Sequence, residues 1–330
     1  MHTEVSKHSD YLKEHKHGRY YSKIHQLTPT IRAFELVAAN GKELPSFEAG
    51  AHIDVHLKNG LTRQYSLSNC CSEKHRYVIG VLHDANSRGG SRCIHTEYRE
   101  GDHLKIGEPR NLFEIHPQTK QAVLFAGGIG ITPILSMAYR LKSANTPFEL
   151  HYFVRSHEMI AFYGNLIEHF GAHVHFHIQD QPDTECNMPE TLGQASSDKH
   201  LYVCGPTGFM QFVMNSAEQA GWHSEQLHQE HFVAQKVDTS NNEAFTIEVK
   251  GTGRRIEVLP EQTATEALIA NGFDIPVSCE QGICGTCITR VIEGIPDHRD
   301  LFMTDEEHAL NDQFTPCCSR AKTKHLVIEL

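Results

Sequence analysis

The sequence predicts a multidomain chain: an antiparallel β-barrel, then an α/β domain with a parallel sheet, then a small α+β module. Three observations carry this reading. The first third holds short alternating segments punctuated by turn pairs such as Asn40-Gly41 and Asn59-Gly60, the pattern of antiparallel strands joined by tight turns. An apolar run, Val123-Leu124-Phe125-Ala126, then leads straight into Gly127-Gly128-Ile129-Gly130, as a buried parallel strand feeding a ligand loop does. Finally, Cys279, Cys284 and Cys287 are separated by four and then two intervening residues, with Cys317-Cys318 far downstream. At 330 residues the chain exceeds one average domain, and two or three are implied.

Composition narrows the function classes. A formal net charge of −11 argues against nucleic acid, whose binders present a basic face or tail. An acidic surface suits a basic protein partner better. No run reaches the length of a membrane span, and the opening residues, Met1 to His17, lack the apolar core of a signal peptide. A soluble cytoplasmic protein is expected, without nucleic acid or membrane as partner. Ten cysteines, four of them claimed by one motif, fit a reducing compartment. The 25 histidines form no H-E-x-x-H pair, and His173-Val174-His175-Phe176-His177 reads as the polar face of a strand.

Residues 1–17 read as a flexible charged lead-in. Strands follow around Ile31 to Val37, Ala51 to Leu57, Thr62 to Ser68 and Arg76 to His83, a spacing that suits a barrel. The third of these carries Arg63-Gln64-Tyr65-Ser66, a cation, an aromatic ring and a hydroxyl in quick succession. Asn86-Ser87-Arg88-Gly89-Gly90-Ser91 precedes a short helix through Glu97, so helix-start amides, glycines and an arginine converge where a phosphate fits. A plain loop is the alternative.

In the second domain, Thr132 is expected to cap a helix with Pro133 at its first position. Strands near Glu149 to Val154, His173 to Ile178 and Leu201 to Cys204 alternate with helical stretches, including Gly208 to Ala220, which implies a parallel sheet covered on both faces. Ligands bind at the carboxyl ends of such strands, where Gly127-Gly128-Ile129-Gly130 and Cys204-Gly205-Pro206-Thr207 fall. The glycine pattern is not the G-x-G-x-x-G fingerprint.

A polar stretch from Ala234 to Glu243 reads as a linker. Phe245 to Val249 and Arg255 to Val258 flank a Lys250-Gly251-Thr252-Gly253 turn as a hairpin. Thr263-Ala264-Thr265-Glu266 forms a capping box, Asn271-Gly272 stops the helix, and Leu326 to Leu330 closes the module as a strand. The C-x4-C-x2-C…C spacing matches plant-type [2Fe–2S] ligation by four thiolates. Gly282 and Gly285 give the loop its tolerance for positive φ. Zinc is the nearest competitor, yet structural zinc usually takes its cysteines as two close couples.

With these motifs in view, the chain resembles the phthalate dioxygenase reductase family, which includes the reductase components of vanillate demethylase and carnitine monooxygenase. The resemblance covers everything after the lead-in. It implies an FMN-binding barrel over 18–115, an NAD-binding α/β domain over 116–234, a linker at 235–242 and a plant-type ferredoxin (β-grasp) domain over 243–330. FMN would be held by Arg63, Gln64, Tyr65 and Ser66, by the strand Gly80-Val81-Leu82 alongside it, by Arg88, Gly89, Gly90 and Ser91 at its phosphate, and by Thr132 and Phe232. Gly127, Gly128, Gly130, Cys204, Gly205 and Pro206 would form the nicotinamide site. Asp297-His298-Arg299-Asp300 and Cys-x-Ser-Arg-Ala are further family marks. The second of them makes Cys317 the fourth ligand beside Cys279, Cys284 and Cys287, with Cys318 a small buried apolar neighbour.

The implied function is electron passage from NADH through FMN and a [2Fe–2S] cluster to a separate terminal Rieske-type oxygenase. A hydride donor and a one-electron acceptor need a flavin between them. The cofactors carry the chemistry, and no side chain is required as nucleophile. Two rivals are a self-contained NADH-dependent flavin or quinone reductase and an iron–sulfur redox sensor. The intact motifs speak against the sensor, and a ferredoxin module at the chain's end, free to present its cluster outward, speaks against the self-contained enzyme. Arg155-Ser156 could contact a 2′-phosphate, so the preference for NADH follows from the resemblance. Glu293, Asp297, Asp300, Asp305, Glu306 and Glu307 read either as a solvated acidic face or as a steering surface for a basic oxygenase.

Overall fold

A computed structural model describes residues 18–85, 87, 89–232 and 239–330. The lead-in, Asn86, Arg88 and much of the expected linker lie outside them. The chain divides into two compact units, the first ending at Glu230 and the second beginning at His231.

The first unit contains two sheets. Strands β1 (Gly18–Gln26), β2 (Ile31–Ala38), β3 (His52–His56), β4 (Thr62–Ser66) and β5 (Tyr77–Leu82) are followed by helix α1 (Gly90–Glu97) and strand β6 (His103–Ile106). They form one antiparallel sheet in the order β4-β3-β6-β1-β2-β5. Its two edges meet at the bridge Leu67↔Ile79, and Ser68 donates its amide to Val78 O at 2.8 Å. The sheet therefore curls into a barrel, which removes its open edges. Phe34, Leu36, Ile53, Leu67, Ile79 and Val81 fill the interior. The sequence reading of a barrel holds, although β1 and β6 had not been singled out; the four residues of β6, with exposed His103 and Lys105, carry too short a pattern to register.

The second sheet comprises β7 (Gln121–Gly127), β8 (Phe148–Val154), β9 (Val174–Ile178), β10 (Lys199–Cys204) and β11 (Leu227–Glu230), with helices α2 (Ile131–Ser143), α3 (Tyr163–Phe170), α4 (Met188–Leu192) and α5 (Thr207–Gln219) between them. All its pairings are parallel, in the order β11-β10-β7-β8-β9. The chain runs outward from β7 through β8 to β9, then returns to the other side for β10 and β11. Adjacent strands whose connections leave in opposite directions open a crevice at their carboxyl ends. Here that crevice lies between β7 and β10. Thr132 does not cap the helix. A 3₁₀ turn over Gly128–Gly130 starts the helical path earlier, Gly130 occupies the cap, and buried Thr132 donates its hydroxyl to Ile129 O at 3.1 Å from inside α2.

The second unit holds β12 (Phe245–Val249), β13 (Arg254–Val258), α6 (Ala264–Ala270), β14 (Thr289–Glu293), β15 (Pro296–Asp297), α7 (Asp305–Leu310), β16 (Gln313–Phe314), β17 (Arg320–Ala321) and β18 (His325–Glu329). The main sheet runs β13-β12-β18-β14-β16, with β12 parallel to β18 and antiparallel to β13. The capping box forms as read: Glu266 donates its amide to Thr263 Oγ1 at 3.1 Å, and Thr263 donates its own to Glu266 Oε2 at 2.8 Å. One face of α6 packs Ala267 and Leu268 against Ile247, Ile256, Phe314 and Leu326. The 279–287 loop is an irregular segment between α6 and β14, and Leu301 donates its amide to Gly282 O in its middle at 2.9 Å.

Candidate functional site

The first unit brings most of the expected flavin and nicotinamide residues to one seam. Strand β4 supplies Arg63, and α1 approaches it so closely that a β-carbon on Gly90 would stand 2.7 Å from Arg63 Cγ. Helix α1 begins at Gly90 with no side-chain cap, so its first amides, beside a guanidinium, suit a phosphate. Ser91 Oγ already accepts from the Asp84 amide at 3.3 Å. Arg88 lies outside the described residues. Two of the expected flavin residues turn elsewhere. Gln64 donates to Asp54 Oδ1 at 3.2 Å, and Val81 points into the barrel core, which leaves its backbone as the part able to line a ligand.

On β5, Gly80 faces the start of α2: a β-carbon there would stand 2.7 Å from Thr132 Cγ2 and 3.3 Å from Ile129 Cδ1. Flavin strand and glycine loop thus adjoin. Across the β7–β10 crevice, a β-carbon on Gly130 would collide with Cys204 O, and the Phe209 ring fills the space beside both Gly127 and Gly205. Gly128, by contrast, has φ 53 and open space at its β position, and Tyr152 donates its hydroxyl to Gly128 O at 3.0 Å. A pinned loop with one open glycine fits close approach by a planar ring. Phe232 stands two residues beyond β11 and is half-buried.

One residue at this seam escaped sequence reading. Ser66 donates its hydroxyl to Glu230 Oε2 at 3.2 Å, across 164 positions of sequence. Glu230 is half-buried as a residue, with its carboxyl end enclosed, and burial pushes that carboxyl up to about 8 despite the Ser66 bond. Burial also drives the neighbouring Cys204 thiol well above its ordinary range, with Glu230 adding to the rise. A neutral carboxyl, a hydroxyl and a thiol therefore meet at the carboxyl ends of β10 and β11. The sequence signal of Glu230 is a lone acid at the carboxyl end of a strand in a parallel sheet.

In the second unit, Cys279, Cys284, Cys287 and Cys317 are all buried and none is in a disulfide. Cys279 lies within hydrogen-bonding reach of Cys284, and Cys317 within reach of Cys287. The Gln281 amide points at Cys279 Sγ from 3.3 Å. Two pairs of neighbouring buried thiols, with a backbone amide aimed at one of them, fit an iron–sulfur cluster with two thiolates per iron, whose sulfurs accept such bonds. Gly282 and Gly285 have φ of +71° and +67°. A side chain on Gly282 would strike Cys318 Sγ, and one on Gly285 would strike the Phe302 ring. Only glycine serves at either place.

Three expectations need correction here. Cys318 packs against the apolar core as expected but is only half-buried, and its Sγ lies 3.3 Å from Thr315 Oγ1. Asp300 does not belong to an acidic surface. Its buried carboxylate accepts from the Met303 amide at 2.9 Å, from Thr315 Oγ1 at 3.2 Å and from Ser319 Oγ at 3.4 Å, tying the 300–303 segment to residues on either side of Cys317. Asp297 is paired with Arg299 at 2.7 Å. Glu293, Asp305 and Glu306 remain exposed. Arg320 is buried and donates to the carbonyls of Gln262, Glu243 and Leu259.

Comparison with known proteins bears on both units. Residues 247–322 match the family described as the 2Fe-2S iron-sulfur cluster binding domain. The chain is 77% identical to the vanillate O-demethylase oxidoreductase of Acinetobacter baylyi over 93% of its own length and 97% of that protein's. A solved phthalate dioxygenase reductase, described as a modular structure for electron transfer from pyridine nucleotides to [2Fe-2S], superposes with a TM-score of 0.74 at 35% identity, over 94% of this chain and 97% of that one. An intact type IV self-sufficient cytochrome P450 monooxygenase superposes with a TM-score of 0.82 at 35% identity, over 95% of this chain but only 41% of the longer one.

Proposed function

Because the chain belongs to the phthalate dioxygenase reductase family, we propose that its partner is a terminal Rieske-type oxygenase that demethylates vanillate or a close aromatic ether. The chain is an oxidoreductase component that takes electrons from NADH through FMN to a [2Fe–2S] cluster. Vanillate rests on the 77% identical relative. No helix among the described residues is long and apolar enough to cross a membrane, and we assign the protein to the cytoplasm, where NADH and a soluble oxygenase meet.

The observation that carries the reading is the seam in the first unit, where Gly80, Thr132 and the Gly127–Gly130 loop adjoin. When bound, the flavin accepts a hydride and releases electrons singly, which matches a two-electron donor to a one-electron cluster. Arg63 and the first turn of α1 hold the phosphate, and the β5 backbone along Gly80, Val81 and Leu82 lines the ring system. Gly128 admits the nicotinamide while Tyr152 keeps its loop in place. Ser66 presents a hydroxyl at the seam and Glu230 keeps a proton behind it. In the second unit, Cys279, Cys284, Cys287 and Cys317 hold the iron. The barrel over 18–115, the α/β domain over 116–234 and the module over 243–330 are the corresponding functional divisions.

The test is composition and coupling. Purified protein should carry FMN and cluster in near-equal amounts, reduce cytochrome c with NADH, and convert vanillate only when the oxygenase is added. Vanillate oxidation by the reductase alone would overturn the component assignment.

A further inference from the structure

The α/β domain gathers four soft or borderline donors away from the seam. His151 on β8 and His177 on β9 meet with Nδ1 and Nε2 3.0 Å apart. Their ring planes differ by only 12° with centroids 5.3 Å apart, so they meet edge to edge, lone-pair positions facing each other. Cys186, in the segment leading to α4, completes a group whose three donor atoms all lie within 4.8 Å of one another. Met188, the first residue of α4, brings its Sδ to 3.7 Å from Cys186 Sγ and is itself buried.

The hydrogen bonding fixes the protonation. A carbonyl only accepts, so His177 Nδ1 donates to Thr184 O, 2.7 Å away, and its Nε2 carries a lone pair. His151 Nδ1 therefore holds the one proton between the rings. Orientation of a ligating imidazole by a carbonyl on its other nitrogen is the usual arrangement around metals. Burial and the neighbouring histidines lower His151 to about 3, and burial lowers His177 as well, so both rings are neutral and able to ligate. Metal–nitrogen bonds of about 2.0–2.1 Å and metal–sulfur bonds of about 2.3 Å place tetrahedral donors about 3.3–3.6 Å apart. The observed separations bracket these values, and binding turns the two rings so that their lone pairs converge on one point.

We propose that His151, His177, Cys186 and Met188 form a binding site for a copper(I) ion. Two imidazoles, a thiolate and a thioether are a donor set suited to copper, and the thioether favours its soft monovalent form over zinc. Charge points the same way. Binding replaces the proton at His151 Nδ1, which passes to Nε2 of the same ring, and releases the Cys186 proton, so Cu⁺ and thiolate together are neutral. A divalent ion would leave a net positive charge beside buried Phe125, which stacks on His151, at a desolvation cost.

The experiment uses holoprotein with flavin and cluster in place, titrated anaerobically with Cu(I) against a competing bicinchoninate chelator. Wild type should retain one equivalent that Cys186→Ser loses or holds at least tenfold more weakly, with Met188→Leu weakening it by a smaller factor. X-ray absorption of the one-equivalent complex should show both nitrogen and sulfur neighbours. Flavin and cluster absorbance report whether each variant is folded, and His151→Phe, which preserves the ring stack, serves if Cys186→Ser fails that check. Copper retention unchanged in the folded variants would place the metal on other thiols and overturn the proposal. So would no retention by wild type, or preferential retention of zinc.

Discussion

The two units solve opposite problems of assembly. The proposed cluster site draws three thiols from nine consecutive residues, Cys279 to Cys287, and a fourth from Cys317. The proposed hydride site is assembled from distant pieces: Ser66 reaches Glu230, Gly80 meets Thr132, and Gly130 rests on Cys204. A local loop can be set by spacing and glycine alone. A distributed site exists only once the barrel and the parallel sheet have both formed, and damage to it should therefore be graded, whereas damage to the cluster loop should be abrupt.

The sharpest test of that contrast is at the paired cysteines. Cys317→Ala should abolish cluster assembly and its visible absorption while leaving FMN bound in the first unit. Cys318→Val should keep most of the absorption, because Cys318 lies toward Thr315 rather than Cys287. A reversed outcome would exchange their roles.

Glu230→Gln comes next, with an expected loss on the order of 100-fold in the rate of flavin reduction by NADH, the scale for removing a positioned proton donor. The pH profile gives it a signature. Burial favours the uncharged carboxyl, so the folded protein holds this proton from the ordinary value of 4.5 up to about 8. The stability tied to this proton is complete below 4.5 and is lost as pH rises through about 8. Stopped-flow flavin reduction should decline over the same upper limb in wild type and be flat there in Glu230→Gln.

A milder effect is expected at Arg63. Its removal should loosen FMN by about 1.5–3 kcal/mol, roughly 10- to 150-fold in Kd, with the cluster intact. Equilibrium dialysis measures it, and unchanged retention would remove Arg63 from the phosphate site. The smallest effect concerns Glu293, Asp305 and Glu306, which remain exposed. If they steer a basic oxygenase, their charge reversal and added salt should each slow coupled electron transfer by about two- to tenfold. Internal flavin reduction should be unmoved, and salt-independent coupling would count the patch as solvated surface only.

The same contrast explains what the sequence revealed. Cysteine spacing, the Thr263–Glu266 capping box and the Gly127–Gly130 loop are local features whose geometry follows from a few residues, and all three were legible. Thr132 misled because a hydroxyl followed by proline looks like a helix start, whereas the 3₁₀ turn at Gly128 had already begun the helical path. Asp300 sits in an acidic stretch and reads as solvated, yet packing against Thr315 and Ser319 buries it. Glu230 was invisible for the same reason: its meaning comes from Ser66, 164 positions away. His177 belonged to an alternating strand, and nothing local says that His151 faces it.

The central claim is that electrons enter in pairs through the first unit and leave singly through the second, with the flavin as the obligatory link. The most direct measurement is anaerobic mixing of NADH with protein stripped of FMN but retaining its cluster, followed at the iron–sulfur absorption band. The account predicts no bleaching until FMN is restored, then bleaching at a rate limited by flavin reduction. Bleaching by NADH in the flavin-free protein would contradict it.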